Sequence, residues 1–430
     1  MQVDQNPRTP QTEQLNSGGI TRKFVSIIFY LQLLGVSALA VILTIRGFLS
    51  HHAHLHFHPL DWYPPMLTAV GLAGIMGLVF QALSHSNPTR AIKLAFWFGP
   101  LITCSMGVLL ISIGSSLGLG FGVLATLVGV VQALYACWVN PRFDHAISVL
   151  AVSAGFPPAK TAQLAVLALG FSIGYCAILM GGVGGATAAG THVDGILVGV
   201  MVLSMVWTMQ VVRNVVLVGV SWVKYLNFSC GDDWDLCRAF RNTLARSMGP
   251  VCLGSVLVPT VSLVRGSARA VSLVAGDSDE FLFSCADCYS GLASKLVTCA
   301  NRWGFVHIGV YRKGIVQSSR DTWEMFRRAG MEELIDYDLT SSFCLFCGVA
   351  GGGLSSLVGG SWSLVVHKEY ATQISLFGFL IGYFITRVAL AGPQAGVSAY
   401  HVAYAENSES ARFDATIPVR LQELHRQRKS

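Results

Sequence analysis

The sequence predicts an all-α polytopic transmembrane bundle of about ten spans with both termini cytoplasmic, and three observations carry that prediction. Hydrophobic residues make up 53% of the 430 and charged residues only 12%, against about 25% charged in soluble domains. Ten apolar stretches each approach the ~20 residues that cross a ~30 Å hydrocarbon layer as a helix. The 29 lysines and arginines fall unevenly among the loops between those stretches, which sets an orientation. A large soluble domain has no room in such a chain. Function is therefore sought where polar residues interrupt the spans, because an unpaired polar group in lipid costs several kcal/mol.

The first 23 residues are polar, and the run Phe24–Ile45 that follows is too long for a signal-peptide core and lacks a small-residue cleavage site. It reads as a retained first span. The others are Pro65–Leu83, Ala91–Ile113, Leu117–Val139, Ala162–Gly182, Gly195–Val220, Arg246–Val264, Phe281–Ala300, Ser342–Gly360 and Ile374–Ala399. The eighth holds Asp287 and Lys295, and the tenth Arg387 and Pro393. With the N-terminus inside, the outer loops contain Arg46, Arg265, Arg269 and Lys368, and the spans contain Arg213, Lys295 and Arg387. The other 22 basic residues face the cytoplasm. Residues 1–23 and 403–430 are then cytoplasmic tails around a transmembrane domain of 24–402. The net charge of +6 is an inner-face bias spread over many loops, so no nucleic-acid partner is expected.

Several local patterns have two accounts. His51, His52, His54, His56 and His58 suit zinc binding or acid sensing, and equally a solvated loop at the interface. Cys285–Cys288 and Cys344–Cys347 have zinc-like local spacing, but each pair lies within a span, where thiols pack as small apolar groups. Glycines bunched at 181–185 and 351–353 allow close helix packing, or a helix broken along a pathway. In the cytoplasmic segment 301–341, Ser318 and Asp321 resemble a capping box. Trp323 and Phe326 recur at helical spacing in 319–335, which predicts a surface helix lying along the inner membrane face.

No phosphate-binding loop, nucleophile elbow or HExxH motif is present, so neither enzymatic activity nor a cofactor is expected. The sixth span carries the informative polar residues. Trp207, Gln210 and Asn214 are spaced i, i+3, i+7 and share one helix face with Ser204. Arg213 is turned away by ~120° and is expected to meet another helix, a carbonyl or the inner headgroups. Such a stripe either lines a substrate path or acts as interhelical hydrogen-bond glue.

Three motifs, Trp207–Val220, Arg238–Ser255 and Val310–Trp323, together with the tail Ala403-Tyr-Ala-Glu-Asn407, resemble in order and spacing the choline transporter-like family of solute carriers. The similarity spans roughly residues 160–410. The short loop after the first span and the altered tail after Glu406 resemble a fungal, plant or protist branch more than an animal one. The resemblance implies a multi-pass protein of the plasma membrane, or of an endomembrane, that moves choline or a related organic cation.

Choline chemistry fits the stripe, since a quaternary ammonium donates no hydrogen bond and is held by aromatic faces at ~0.5–2 kcal/mol each. Trp207 with Tyr175, Trp138, Trp97 or Tyr289 would supply such faces, and Gln210 and Asn214 would take the hydroxyl. Trp62, Trp222 and Trp362 fall at predicted interfaces and are assigned to the aromatic belt. If transport were coupled to protons, Asp287, His192 and Asp194 would be the titrating groups. The expected partners are thus a small cation and the lipid bilayer. The rival readings are a non-transporting membrane protein of vesicle traffic and lipid balance, and a lipid or ion conduit.

Overall fold

The computed structural model describes residues 19–50, 59–155, 161–187, 193–231, 235–275, 291–292, 294–409 and 413–427. Its long helices are α1 (Gly19–Ser50), α2 (Pro59–Ser86), α3 (Pro88–Ile113), α4 (Ser116–Val139), α6 (Thr161–Thr187), α7 (Asp194–Cys230) and α9 (Met248–Ala275), with α5 (Phe143–Gly155) and α8 (Leu236–Arg246) between them. Four helices follow: α10 (Gly304–Tyr311), α11 (Ile315–Arg328), α12 (Glu332–Asp336) and α13 (Thr340–Val366). The chain ends in α14 (Lys368–Ala389), α15 (Ala391–Glu406) and α16 (Thr416–Gln427). The protein is an all-α polytopic bundle, and among the described residues nine helices are long and apolar enough to cross a membrane. The expected eighth span, Phe281–Ala300, lies largely outside the described residues, as do His51–His58, Cys285–Cys288, Asp287, Tyr289 and His192.

The elements stop and start for local reasons. Asn87 caps α3, its side chain accepting from Arg90 N, with Pro88 in the first turn where its missing N–H is harmless. The expected tenth span is two helices meeting at Leu390. Pro393 explains the break, because it lacks an N–H and its ring collides with the carbonyl four residues back, so it sits in the first turn of a new helix.

The expected surface helix over 319–335 is also two. α11 starts at Ile315 after Gly314, not at a Ser318 capping box, and Ser318 is fully buried. It ends at Ala329, and Gly330 adopts φ +64°, a left-handed geometry suited to glycine, before α12. Phe326, fully buried, packs edge-on against Trp303 at 5.7 Å. The Phe326 face of α11 is held by protein.

The glycines at 181–185 serve close packing. α6 runs unbroken through them, and a Cβ on Gly185 would lie 1.8 Å from the Leu43 carbonyl oxygen of α1. The expected belt residues Trp62 and Trp222 are instead core. Trp62 is 1% exposed, donates to Met180 O at 3.4 Å and meets Tyr370 of α14 edge-on at 5.7 Å.

One side assignment fails. Arg265, set outside by the charge count, is ion-paired with Asp336, set inside. No bilayer divides that pair. The cause is that α9 runs beside the 301–341 segment, with Val261 packed on Val297, Ala300 and Trp323.

Two apolar cores result. One joins α1, α2, α6, α9, α14 and α7 as far as Val223; the other joins α3, α5, α10 to α13, α15 and α16. At ~1.5 Å per residue α7 is ~55 Å long and enters both cores, through Met201, Met205 and Met209 and then through Tyr225 and Phe228. It is the axis on which the candidate site is built.

Candidate functional site

The polar face of α7 meets four other helices. In its N-terminal half, Ser204 Oγ lies 2.6 Å from the Tyr175 hydroxyl of α6 and is also bonded by Gln32 Nε2 of α1. Thr208 Oγ1 donates to the Tyr175 hydroxyl at 3.4 Å. Tyr175, Ser204 and Thr208 are buried. Gln32 Oε1 is buried as well and accepts nothing, although a buried carbonyl oxygen without a donor costs ~1–3 kcal/mol. A loose acceptor thus lies beside a closed chain of hydroxyls.

Trp207 stands next to this chain. Its Nε1 donates to Cys252 O of α9 at 3.4 Å, and its ring meets Phe29 of α1 edge-on at 5.5 Å. Phe29 in turn contacts Tyr30 at 5.6 Å. Trp207 is only half-buried. Its indole N–H is spent on a carbonyl, which fixes the ring plane and leaves the π-system as the group able to meet a ligand.

The stretch that follows behaves differently. Arg213 is buried, and Nη1 donates to Asn214 Oδ1 at 3.1 Å and Gln210 Oε1 at 3.5 Å, while Nη2 donates to Gln394 Oε1 of α15. Asn214 Nδ2 donates to Ser255 Oγ of α9 at 2.9 Å. Arg213 therefore does meet another helix, as expected, but it also takes the two amide oxygens that the sequence reading offered to a substrate hydroxyl. Gln210 and Asn214 solvate a guanidinium here.

The structure brings together Trp207, Ser204 and Tyr175, and separately Gln210 and Asn214 with Arg213. It does not bring Trp138 to them. Trp138 is 64% exposed on α4, and the Arg142 guanidinium lies 4.6 Å from its ring centre. Trp97 also faces outward, 44% exposed. A single sequence does not reveal which rings converge. Gln32 and Phe29 were missed altogether. The signal was there: Gln32 is the one amide side chain in the Phe24–Ile45 run, whose other polar groups are hydroxyls.

Further along, the quoted motifs meet one another. Tyr225 of α7 and Tyr311 of α10 both donate to the carboxylate of Glu406 at the end of α15. A profile of the family described as "Plasma-membrane choline transporter" matches residues 123–409, about two thirds of the chain. The chain belongs to this choline transporter family.

Its relatives include fungal proteins named "Protein PNS1". That of Mycosarcoma maydis is 27% identical over 241 residues, covering 52% of this chain and 45% of the relative. That of Gibberella zeae is 26% identical over 287 residues, 62% and 52%, and that of Saccharomyces cerevisiae 23% over 262 residues, 57% and 48%. The chain spans about half the length of the curated relatives it matches. The family match covers α5 to α15 entirely, including Tyr175 and the α7 stripe, but α1, with Gln32 and Phe29, lies ahead of it.

Proposed function

We propose that this choline transporter family member moves choline, or a related organic cation, down its electrochemical gradient by alternating access, in the plasma membrane and with both termini cytoplasmic. The observation that carries the reading is the pairing of aromatic rings with a spare acceptor. Phe29 lies one turn before Gln32 on α1 and meets Trp207, Gln32 Nε2 bonds Ser204 one turn before Trp207 on α7, and Gln32 Oε1 is a buried oxygen without a donor. A quaternary ammonium needs a ring face, and choline's hydroxyl needs one acceptor.

On this reading the substrate sits at the outer half of α7, with Trp207, Tyr175 and Ser204 around it, and Gln32 replaces Gln210 and Asn214 as the hydroxyl's partner. Electrostatics favours the same choice, because a cation beside Asn214 would face the uncompensated charge of Arg213. No coupling ion is required. A monovalent cation entering the cell gains ~2.3 kcal/mol per 100 mV of inside-negative potential.

The direct experiment is uptake of labelled choline into liposomes that contain only this protein, with an inside-negative potassium diffusion potential. Saturable uptake that rises with the potential supports the proposal. Uptake no greater than in empty liposomes would instead favour a membrane protein acting in vesicle traffic or lipid balance.

A further inference from the structure

A cleft of about 500 Å³ opens where α1, α9 and α11 come together, lined by Arg22 of α1, Pro250 and Leu253 of α9, and the Gly314 cap, Arg320 and Asp321 of α11. Two glycines shape it. A Cβ on Gly249 would lie 2.3 Å from the Arg22 carbonyl oxygen, so α1 presses directly onto the first turn of α9. A Cβ on Gly314 would lie 2.9 Å from Arg22 Nη2, so the guanidinium rests against the bare backbone that leads into α11. The Arg22 side chain makes no hydrogen bond or ion pair with the described residues. Among the same residues, Arg320 Nη2 reaches only the Cys299 thiol, at 3.6 Å. The one carboxylate in the lining, that of Asp321, is ion-paired with Lys313 at 2.5 Å. The cleft therefore holds two arginine charges that no carboxylate offsets. α11 also starts without a side-chain cap, which leaves its first-turn N–H groups as donors at the same place.

The cleft lies at the level where α1 enters the membrane. Arg22 and Lys23 immediately precede the apolar run, and Phe24, Ile27, Ile28 and Leu31 are all exposed along the turns that follow. On the α9 side Leu253, in the lining, and Val256, one turn on, are exposed as well. A soluble phosphate would use the arginines and leave these apolar flanks bare. A phospholipid uses both, because its phosphate oxygens accept from guanidinium and backbone N–H groups while its chains cover the flanks. We propose that this cleft binds the phosphate headgroup of an anionic membrane phospholipid, with Arg22 and Arg320 on the phosphate and the acyl chains along the exposed sides of α1 and α9. A net negative lipid is favoured, since the ammonium of a zwitterionic headgroup would bring a like charge to the arginines. Such a site stands whether or not choline is the cargo.

The test is native mass spectrometry of the purified, monodisperse protein, titrated in parallel with dioleoyl phosphatidylglycerol and dioleoyl phosphatidylcholine. One phosphatidylglycerol per chain is expected to bind about tenfold more tightly than phosphatidylcholine, and Arg22→Gln and Arg320→Gln should each weaken it about fivefold. Gly314→Leu should weaken it as well, because it fills the cleft without changing the charge, and Arg22→Lys should lose less than Arg22→Gln. Arg241→Gln, which removes an exposed arginine outside the cleft, should change nothing. Glycerol phosphate, which lacks the acyl chains, should displace the lipid only at concentrations about a hundredfold higher. Displacement at equal concentrations would show that the cleft takes a free phosphate and would overturn the lipid assignment. Equal affinity for the two lipids, or the same loss in Arg241→Gln as in the two cleft glutamine variants, would overturn the site itself.

Discussion

The Tyr311 hydroxyl donates to Glu406 Oε1 at 2.7 Å, tying α10 to the end of α15. Tyr225 holds the other oxygen of the same carboxylate, and the two phenol oxygens lie 3.3 Å apart. Two stretches quoted for the family resemblance, some 90 residues apart, are thus halves of one clasp with α7 between them. Because Glu406 is exposed, solvent screens the bond. Tyr311→Phe should therefore cost about 1 kcal/mol, since its ring contact with His307 at 5.1 Å survives. A double-mutant cycle of Tyr311→Phe with Glu406→Gln, followed by thermal unfolding, should give a coupling of ~0.5–1 kcal/mol. Strict additivity would show that the bond contributes nothing.

Phe326 should be the anchor of α11. It is fully buried against Trp303, whereas Trp323 is half-buried at the edge of a small cluster. Phe326→Ala should cost ~3–5 kcal/mol through the cavity it leaves, and Trp323→Ala distinctly less. In native-state hydrogen exchange the amides of 319–328 should be protected in wild type and lose protection in Phe326→Ala. Unprotected amides in the wild type would show that the helix is not docked.

Burial holds the His307 imidazole down at about 4, below the ordinary 6.5, and its Nδ1 lies 3.1 Å from Thr322 Oγ1. Between those values the unfolded chain binds a proton that the folded chain does not. Stability therefore rises with pH across the window, is fully present above 6.5, and is lost as the pH falls toward 4. Melting temperatures measured between about pH 5 and pH 7.5 should climb in wild type and climb less in His307→Gln. An identical slope in both would contradict this account.

Orientation is open to labelling. With both termini inside, an impermeant thiol reagent applied to intact cells should reach Glu369→Cys, in the first turn of α14, and should reach Ser408→Cys only after permeabilisation. The reverse pattern would invert the topology.

The fold was legible because the rule that reveals spans is local: apolar length against bilayer thickness reads one stretch at a time. The site was only half legible, because it depends on which helices become neighbours. The i, i+3, i+7 spacing put Trp207, Gln210 and Asn214 on one face, but nothing in it said that Arg213 would bend back onto Gln210 and Asn214. Trp62 looked like a belt residue from its place at a span end, and it is core because Tyr370 and Phe377 of α14 cover it. The side of Arg265 was misjudged in the same way, since its partner Asp336 is 71 residues away.

The central claim is that the outer half of α7 holds a quaternary ammonium against the Trp207 ring, with Gln32 taking its hydroxyl. Calorimetric choline titration of purified wild type, Trp207→Ala, Trp207→Phe and Gln32→Leu tests it most directly. Loss of a ring worth ~1–2 kcal/mol should weaken binding by about 5- to 30-fold in Trp207→Ala, and far less in Trp207→Phe. Gln32→Leu should weaken choline while leaving tetramethylammonium, which has no hydroxyl, nearly unchanged. Equal choline affinity in all four proteins, or no choline binding by the wild type, would contradict the account.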